Sequence, residues 1–282
     1  MKSRRHLATA VRKENGKIVL HRVSKLSLTE RTGIHRIPLV RGAFVLFETM
    51  IVGMRELNWS SDQALGKEEK SSGWAIGLVL LLSLGFALAL FKLLPLYLAS
   101  IATRAADGGN WMLNLLDGLF KMVIFVLYIL LISLMPDVVR LFQYHGAEHK
   151  AVNCYEAGKP LTAKHAKGFT LLQPRCGTTF VIYVFALSIF LYALIPFGTS
   201  FWLKYLLRLV LLPVIAGIAY EWVRFAGKYY RKSMVVRAIS LPGMAFQRLT
   251  TREPNLAQLA VAIAALKDVL GKERRASARK AP

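Results

Sequence analysis

The sequence predicts a mainly α protein: a polytopic α-helical membrane protein with about four transmembrane helices and a small cytoplasmic β-hairpin element. Three observations carry that expectation. The 282-residue chain is 55% hydrophobic, more apolar than soluble domains of its size. Its apolar residues gather into blocks of roughly 19–27 residues, the length a helix needs to cross a hydrocarbon core. Its cations gather between those blocks: of 38 Lys and Arg residues, 14 lie in residues 1–73, 6 in residues 136–176 and 13 in residues 224–282.

Residues 1–40 form the first segment. There "LATAVRKENGKIVLHRVSKL" places Asn15-Gly16 between two partly alternating runs, which is a β-hairpin signal. Residues 41–73 open with "RGAFVLFETMIVGMREL", an apolar run of about a dozen residues broken by Glu48. That is too short and too polar to span. It reads as an interfacial or re-entrant helix followed by a linker, with a helix packed on the cytoplasmic domain as the alternative.

Residues 74–135 hold the first two predicted membrane helices. Trp74–Ser100 carries one cation, Lys92, in 27 residues, and a second block runs from Trp111 to Met135. Residues 136–176 read as a polar cytoplasmic His/Cys metal-binding loop that carries the scarce soft ligands. Residues 177–223 hold helices three and four, Thr178–Pro196 and Phe201–Val223, the latter kinked at Pro213. Uniformly apolar blocks of this kind differ from amphipathic core helices, which keep a polar face.

The basic tail, 224–282, contains "SLPGMAFQRLTTREPN", which reads as loop and turn. In Asn255–Leu270 a helix would align Leu256, Leu259, Ala260, Ile263, Leu266 and Leu270 on one docking face. The final "GKERRASARKAP" reads as disordered, and no internal repeat is visible.

Threading four helices in order brings all three basic segments, 33 of 38 cations, to one side. By the positive-inside rule both termini and the 136–176 segment face the cytoplasm. "MKSRRHLATAV" is basic but no long apolar stretch follows it, so the first membrane helix is the expected insertion signal. A basic face of this kind favours a bilayer with anionic headgroups as partner. The net charge of +22 does not imply nucleic acid, because no aromatic-rich basic motif accompanies it.

The chemistry concentrates in "YHGAEHKAVNCYE". His145, Glu148 and His149 form H-x-x-E-H, and both cysteines and three of the six histidines fall between residues 144 and 176. On a helix the i, i+4 imidazoles point to one side, ready to share a metal. Cys176, in "PRCGTTF", is a third candidate ligand, with Cys154 or Glu156 completing the shell. Thiolate and imidazole suit a divalent metal of the zinc type. Glu148, one turn from His145, is placed to act as general base, and Arg175 to steady an anionic group. The five-residue pattern alone matches often by chance. The competing reading is a polar surface cluster of hydrogen-bonded histidines, with Cys154 a small buried hydrophobe. Asp117, Lys121 and Glu221 lie in or near apolar blocks, where ionisable groups face a protein interior or a wet cavity. Glu221 either faces the metal segment or snorkels to the interface.

"YHGAEHKAVNCYEAGKPLT", "PRCGTTF", "YEWVRFAG", "LPGMAFQRLTTREPNLAQLAVAIAALK" and "IPLVRGAFVLFETMIVGMREL" together resemble the DUF1385 (YqhQ-like) family over nearly the whole chain. The resemblance implies a protein of the bacterial inner membrane and a metal-dependent enzyme without an assigned substrate. Members often carry His where this chain has Gln173, so a ligand at that position would be lost or replaced by His165. Members also usually begin with a Gly-rich stretch, which would end where Met1–Arg4 stands; either the start is placed late or this chain lacks it.

Three functions follow as expectations. The first is a metal-dependent hydrolase acting at the membrane surface. The second is a non-catalytic scaffold or regulator with a structural metal. The third is a transporter that works as a homo-oligomer, because four helices with few internal charges make a poor pathway alone.

Overall fold

The structure, a computed structural model, describes residues 1–3, 6–24, 33, 37–65 and 73–278. It is mainly helical with one two-stranded antiparallel sheet. The chain divides into two compact units. One gathers Met1–Glu68, Met135–Pro174 and Met244–Pro282; the other gathers Glu69–Leu134 and Arg175–Gly243. The linker expected at the end of residues 41–73 and the last residues of the tail, 279–282, lie outside the described residues.

In the first unit β1 (His6–Arg12) and β2 (Ile18–Ser24) pair antiparallel, with Ala10 opposite Leu20 and Arg12 opposite Ile18. The expected Asn15-Gly16 turn connects them. Gly16 takes φ +78°, a left-handed conformation that only glycine adopts without strain, and Asn15 Oδ1 accepts from the Lys17 N–H at 3.1 Å.

Helix α1 (Val40–Leu65) packs on this hairpin through its acids. Glu56 accepts from Thr9 at 2.6 Å and meets His21 Nδ1 at 2.9 Å, and Glu48 accepts from Lys2 at 3.3 Å. Phe44, Phe47, Met50 and Leu57 are exposed. The helix therefore buries carboxylates and exposes hydrophobes, which combines the two readings weighed for it.

Residues 136–176 are not a loop. Helix α5 (Pro136–Glu156) opens with Pro at its first turn, followed by Asp137 near the helix N-terminus, both favoured there. The five-residue α6 (Ala163–Lys167) follows. Ala147, Ala151 and Cys154 recur at i, i+4 and i+7 on α5 and face Leu259, Ala262, Ile263 and Leu266 of α11 (Leu256–Ala278).

The predicted docking stripe is thus real, except that Leu256 at its start is exposed. Helix α11 continues through Ala278, where the sequence read as disordered; Lys, Glu, Arg and Ala are good helix formers. Ser3 donates to Glu273 at 2.6 Å and ties that extension to the N-terminus.

The second unit contains α2 (Gly73–Leu88), a π-helical turn (Ala89–Leu93), α3 (Leu94–Ala105), α4 (Asn110–Ile132), α7 (Gly177–Tyr192), α8 (Phe201–Val210) and α9 (Leu212–Tyr229). Among the described residues, two helices are long and apolar enough to cross a membrane, Gly77–Ala105 with 29 residues and Asn110–Ile132 with 23. Helices α8 and α9, bent by 40°, would make a third if counted as one span. At 16 residues α7 falls short of the ~20 a span needs.

Two or three of the four expected spans are thus matched by length and composition. What shortens the remaining helices lies at their ends. Beyond Tyr192 the chain tightens into i→i+3 turns, and Asn110 Nδ2 donates to the carbonyls of Ala193 and Ile195 at 2.9 and 3.0 Å. Pro213, at the start of α9, lies just past the break in the last block.

"SLPGMAF" is also helical, within α10 (Met234–Thr250). Pro242 does not end this helix. At Gly243 a Cβ would meet Thr179 Cγ2 at 2.5 Å, so the glycine is required for close approach to α7.

A buried polar network joins α4, α7 and α8. Asn110, Asn114, Asp117 and Lys121 follow helical spacing on α4. Asp117 pairs with Lys121 and with Arg208 of α8, the latter at 2.5 Å. Arg208 also donates to Asn114 Oδ1 at 2.7 Å, and its carbonyl accepts from Tyr192 at 3.2 Å. Asp117, Lys121 and Asn114 are all buried. Removing one partner of a buried pair leaves an uncompensated charge, at a cost of about 3–5 kcal/mol. Asp117→Ala is therefore expected to lower the thermal unfolding temperature of the detergent-purified protein strongly. An unchanged transition would contradict a structural role for this network.

Candidate metal centre

Two faces of α5 have different work. The apolar face holds the unit's core, and the polar face is anchored to the C-terminal end of α10 and to the irregular segment around Leu171. His145 Nδ1 meets the Thr250 carbonyl at 2.8 Å, and His149 Nδ1 meets the Leu171 carbonyl. A carbonyl oxygen only accepts, so each Nδ1 carries a proton, and in the neutral imidazole this leaves the lone pair on Nε2. The rings lie close, with centroids 4.4 Å apart at 68°.

The same face fixes the segment that precedes Cys176. Lys150 Nζ donates to the Lys167 carbonyl at 2.7 Å and to Glu253 at 2.6 Å. Asn153 Nδ2 donates to the carbonyls of Thr170 and Leu172 at 2.9 and 3.0 Å. Gln173 and Gln247 then clamp the two carbonyl-bearing segments together. The Gln173 N–H donates to Gln247 Oε1 at 2.8 Å, and Gln247 Nε2 donates to the Gln173 carbonyl at 2.7 Å.

Of the candidate ligands, His145 and His149 share one face of α5 in the first unit, and Cys176 opens a helix of the second. Cys176 caps the start of α7, where its Sγ accepts from the Thr178 N–H at 3.5 Å. The other sequence candidates are placed differently. Cys154 is fully buried in the α5–α11 core and donates to the Pro160 carbonyl at 3.5 Å. Burial pushes its thiol pKa up, which disfavours the thiolate a metal needs. Glu148 is exposed and Glu156 half-buried on α5. Arg175 donates from Nε and Nη2 to the Gly227 carbonyl at 3.3 and 2.9 Å.

His165 is exposed, with Nδ1 2.7 Å from Thr162 Oγ1, and so does not stand in for a ligand at position 173. Gln173 itself is buried. Its Nε2 donates to Asn153 at 3.2 Å, while its Oε1 has no hydrogen-bond partner among the described residues. Sequence reasoning missed the anchoring groups Lys150, Asn153 and Gln247. Asn153 could have been found, since it continues the His145, His149 spacing by one further turn.

Gly146 lies where α5 meets residues 250–253. A Cβ there would meet the Arg252 carbonyl oxygen at 2.2 Å and Leu171 Cδ2 at 2.9 Å, and the Arg252 N–H donates to the Phe142 carbonyl at 3.0 Å. Gly146→Ala should destabilise the protein by about 1–3 kcal/mol through overpacking. Thermal unfolding measures this, and a transition equal to wild type would contradict the close approach.

The family model described as a protein of unknown function, DUF1385, matches residues 37–272. The uncharacterized protein YqhQ of Bacillus subtilis (strain 168) is 33% identical over 279 residues, covering 94% of this chain and 87% of that one. No solved structure matches. The chain belongs to the DUF1385 family.

Proposed function

We propose that this protein is a membrane-embedded metalloprotein that holds zinc through His145 Nε2, His149 Nε2 and Cys176 Sγ, and that it acts as a metal-dependent hydrolase at the membrane surface. One observation carries the reading: both histidines are fixed through Nδ1 to backbone carbonyls, an outer-shell arrangement common in zinc sites. Three protein ligands leave one position of a tetrahedral ion open, as catalytic zinc requires. Bound zinc would supply Lewis acidity toward a carbonyl or phosphoryl oxygen.

The chain's own residues have separate roles. Gln173 Oε1, a buried acceptor, can orient a donor group of substrate or water. Glu148, exposed on the same helix as both histidines, is the base reached from solvent. Its exposure also supports a second reading, a scaffold whose zinc is structural, because a base needs hydrogen-bond reach of the proton it takes.

The cytoplasmic assignment rests on connectivity. The first unit is compact and is built from three stretches that flank two apolar excursions. If that unit occupies one compartment, each excursion crosses the membrane an even number of times. The cation bias selects the cytoplasm for it. The exposed Phe44, Phe47 and Met50 of α1 suit the membrane surface beside it.

Elemental analysis of the purified protein tests the site. His145→Ala, His149→Ala and Cys176→Ser should each lose most bound zinc, whereas Cys154→Ser should keep it. Equal zinc in wild type and the His145/His149 double variant would end the proposal.

Glu148→Gln then separates the two readings. With zinc retained, loss of complementation in a deletion strain supports the hydrolase, since a general base contributes ~10²–10⁴-fold. Full complementation supports the scaffold. Topology is tested with engineered cysteines in a Cys154→Ser/Cys176→Ser background. An impermeant thiol reagent on intact spheroplasts should label position 106 and spare position 159, and the reverse pattern would overturn the orientation.

A further inference from the structure

Within the second unit, two cavities adjoin where α3 ends and α8 begins, sharing Ser100, Arg104 and Phe201 in their walls. The larger, about 680 Å³, is an apolar groove lined by Leu90, Leu94, Tyr97, Ile101 and Trp202. The smaller, about 300 Å³, is polar and cationic, lined by Thr103, Arg104, Thr199, Ser200 and Lys204. No Asp or Glu lines either cavity.

Four features of the smaller cavity suit an anion. Lys204 is buried to 9% exposure, with its ammonium on the Phe197 carbonyl and 4.6 Å from the Phe197 ring. Arg104 is exposed at the cavity edge and has no carboxylate partner among the described residues. Ser200 caps α8 without a side-chain hydrogen bond, so the first-turn N–H groups of this ten-residue helix lack intrahelical acceptors at the end that lines the cavity. Thr103, 1% exposed, lines the cavity with an Oγ1 that has no hydrogen-bond partner among the described residues. A buried hydroxyl left unpaired is costly, and a ligand oxygen would satisfy it.

We propose that the two cavities form one site for a phospholipid with an anionic headgroup. The headgroup phosphate sits at the α8 N-terminus between Lys204 and Arg104 and accepts from Thr103, and an acyl chain lies along the groove. The absence of a lining carboxylate gives a cationic headgroup such as choline no partner and selects the anionic class. A free anion would leave the apolar groove unused. The proposal rests on the membrane reading of the second unit and not on the metal centre, so zinc loss and loss of lipid binding are separate results.

Native mass spectrometry of the detergent-purified full chain tests it. The titrants are dioleoyl phosphatidylglycerol, dioleoyl phosphatidylcholine and inorganic phosphate. Wild type should bind the phosphatidylglycerol well above the phosphatidylcholine, and inorganic phosphate weakly. Arg104→Gln changes an exposed side chain and Thr103→Val keeps shape, so both should fold.

Each should weaken phosphatidylglycerol binding by about tenfold, the order expected for one lost hydrogen bond to a charged group. Their phosphatidylcholine binding should not change. Equal binding of the two lipids would overturn the proposal. So would inorganic phosphate matching the anionic lipid, or an unchanged preference in both variants.

Discussion

A carbonyl oxygen has no proton to give, and the candidate metal centre depends on that fact. The carbonyls of Thr250 and Leu171 fix the protons of His145 and His149 on Nδ1 and leave both Nε2 atoms as lone-pair donors. The Thr250 carbonyl ends α10, where the last helical carbonyls have no intrahelical partner, and the Leu171 carbonyl belongs to an irregular segment, so its placement requires other hydrogen bonds. Lys150, Asn153 and the Gln173–Gln247 pair supply them. The first unit is thus organised so that one helix, α5, reads the backbone of its neighbours on one side and packs against α11 on the other.

The second unit solves a different problem. In an apolar setting a charged side chain is tolerated when it is paired and inward-facing. Asp117, Lys121 and Arg208 meet that condition together with Asn114 and Tyr192, and they lock α4, α7 and α8 to one another. Near the α3–α8 end Lys204 has no acid beside it among the described residues, and a cavity lies there instead. Charge is balanced in one place and left unbalanced in another, which is why the two clusters carry different interpretations.

Much of this was legible in the sequence. Asn15-Gly16 specified the hairpin, and the i, i+4 histidines and the Leu259–Ile263–Leu266 stripe specified two helical faces. Other features were not legible, for identifiable reasons. Cys154 looks like Cys176 in composition, and only the apolar face shared with Ala147 and Ala151 marks it as core. Pro242 reads as a helix breaker, but it sits in a helix. Local hydropathy also does not register where Asn110 and the i→i+3 turns end α7. The carbonyl anchors carry no sequence signature at all, since every residue has one.

The first unit is assembled from three separate stretches of chain, and this affects its synthesis. Helix α5 is made earlier, with Ala147, Ala151 and Cys154 ready to pack, whereas α11 leaves the ribosome about a hundred residues later. The Thr250 carbonyl that orients His145 also arrives late. Until then the nascent chain carries an uncovered apolar face and a histidine without its final anchor. Closure of the first unit is therefore a late event in synthesis, and a chain cut short before α11 would have both apolar excursions made but its first unit open.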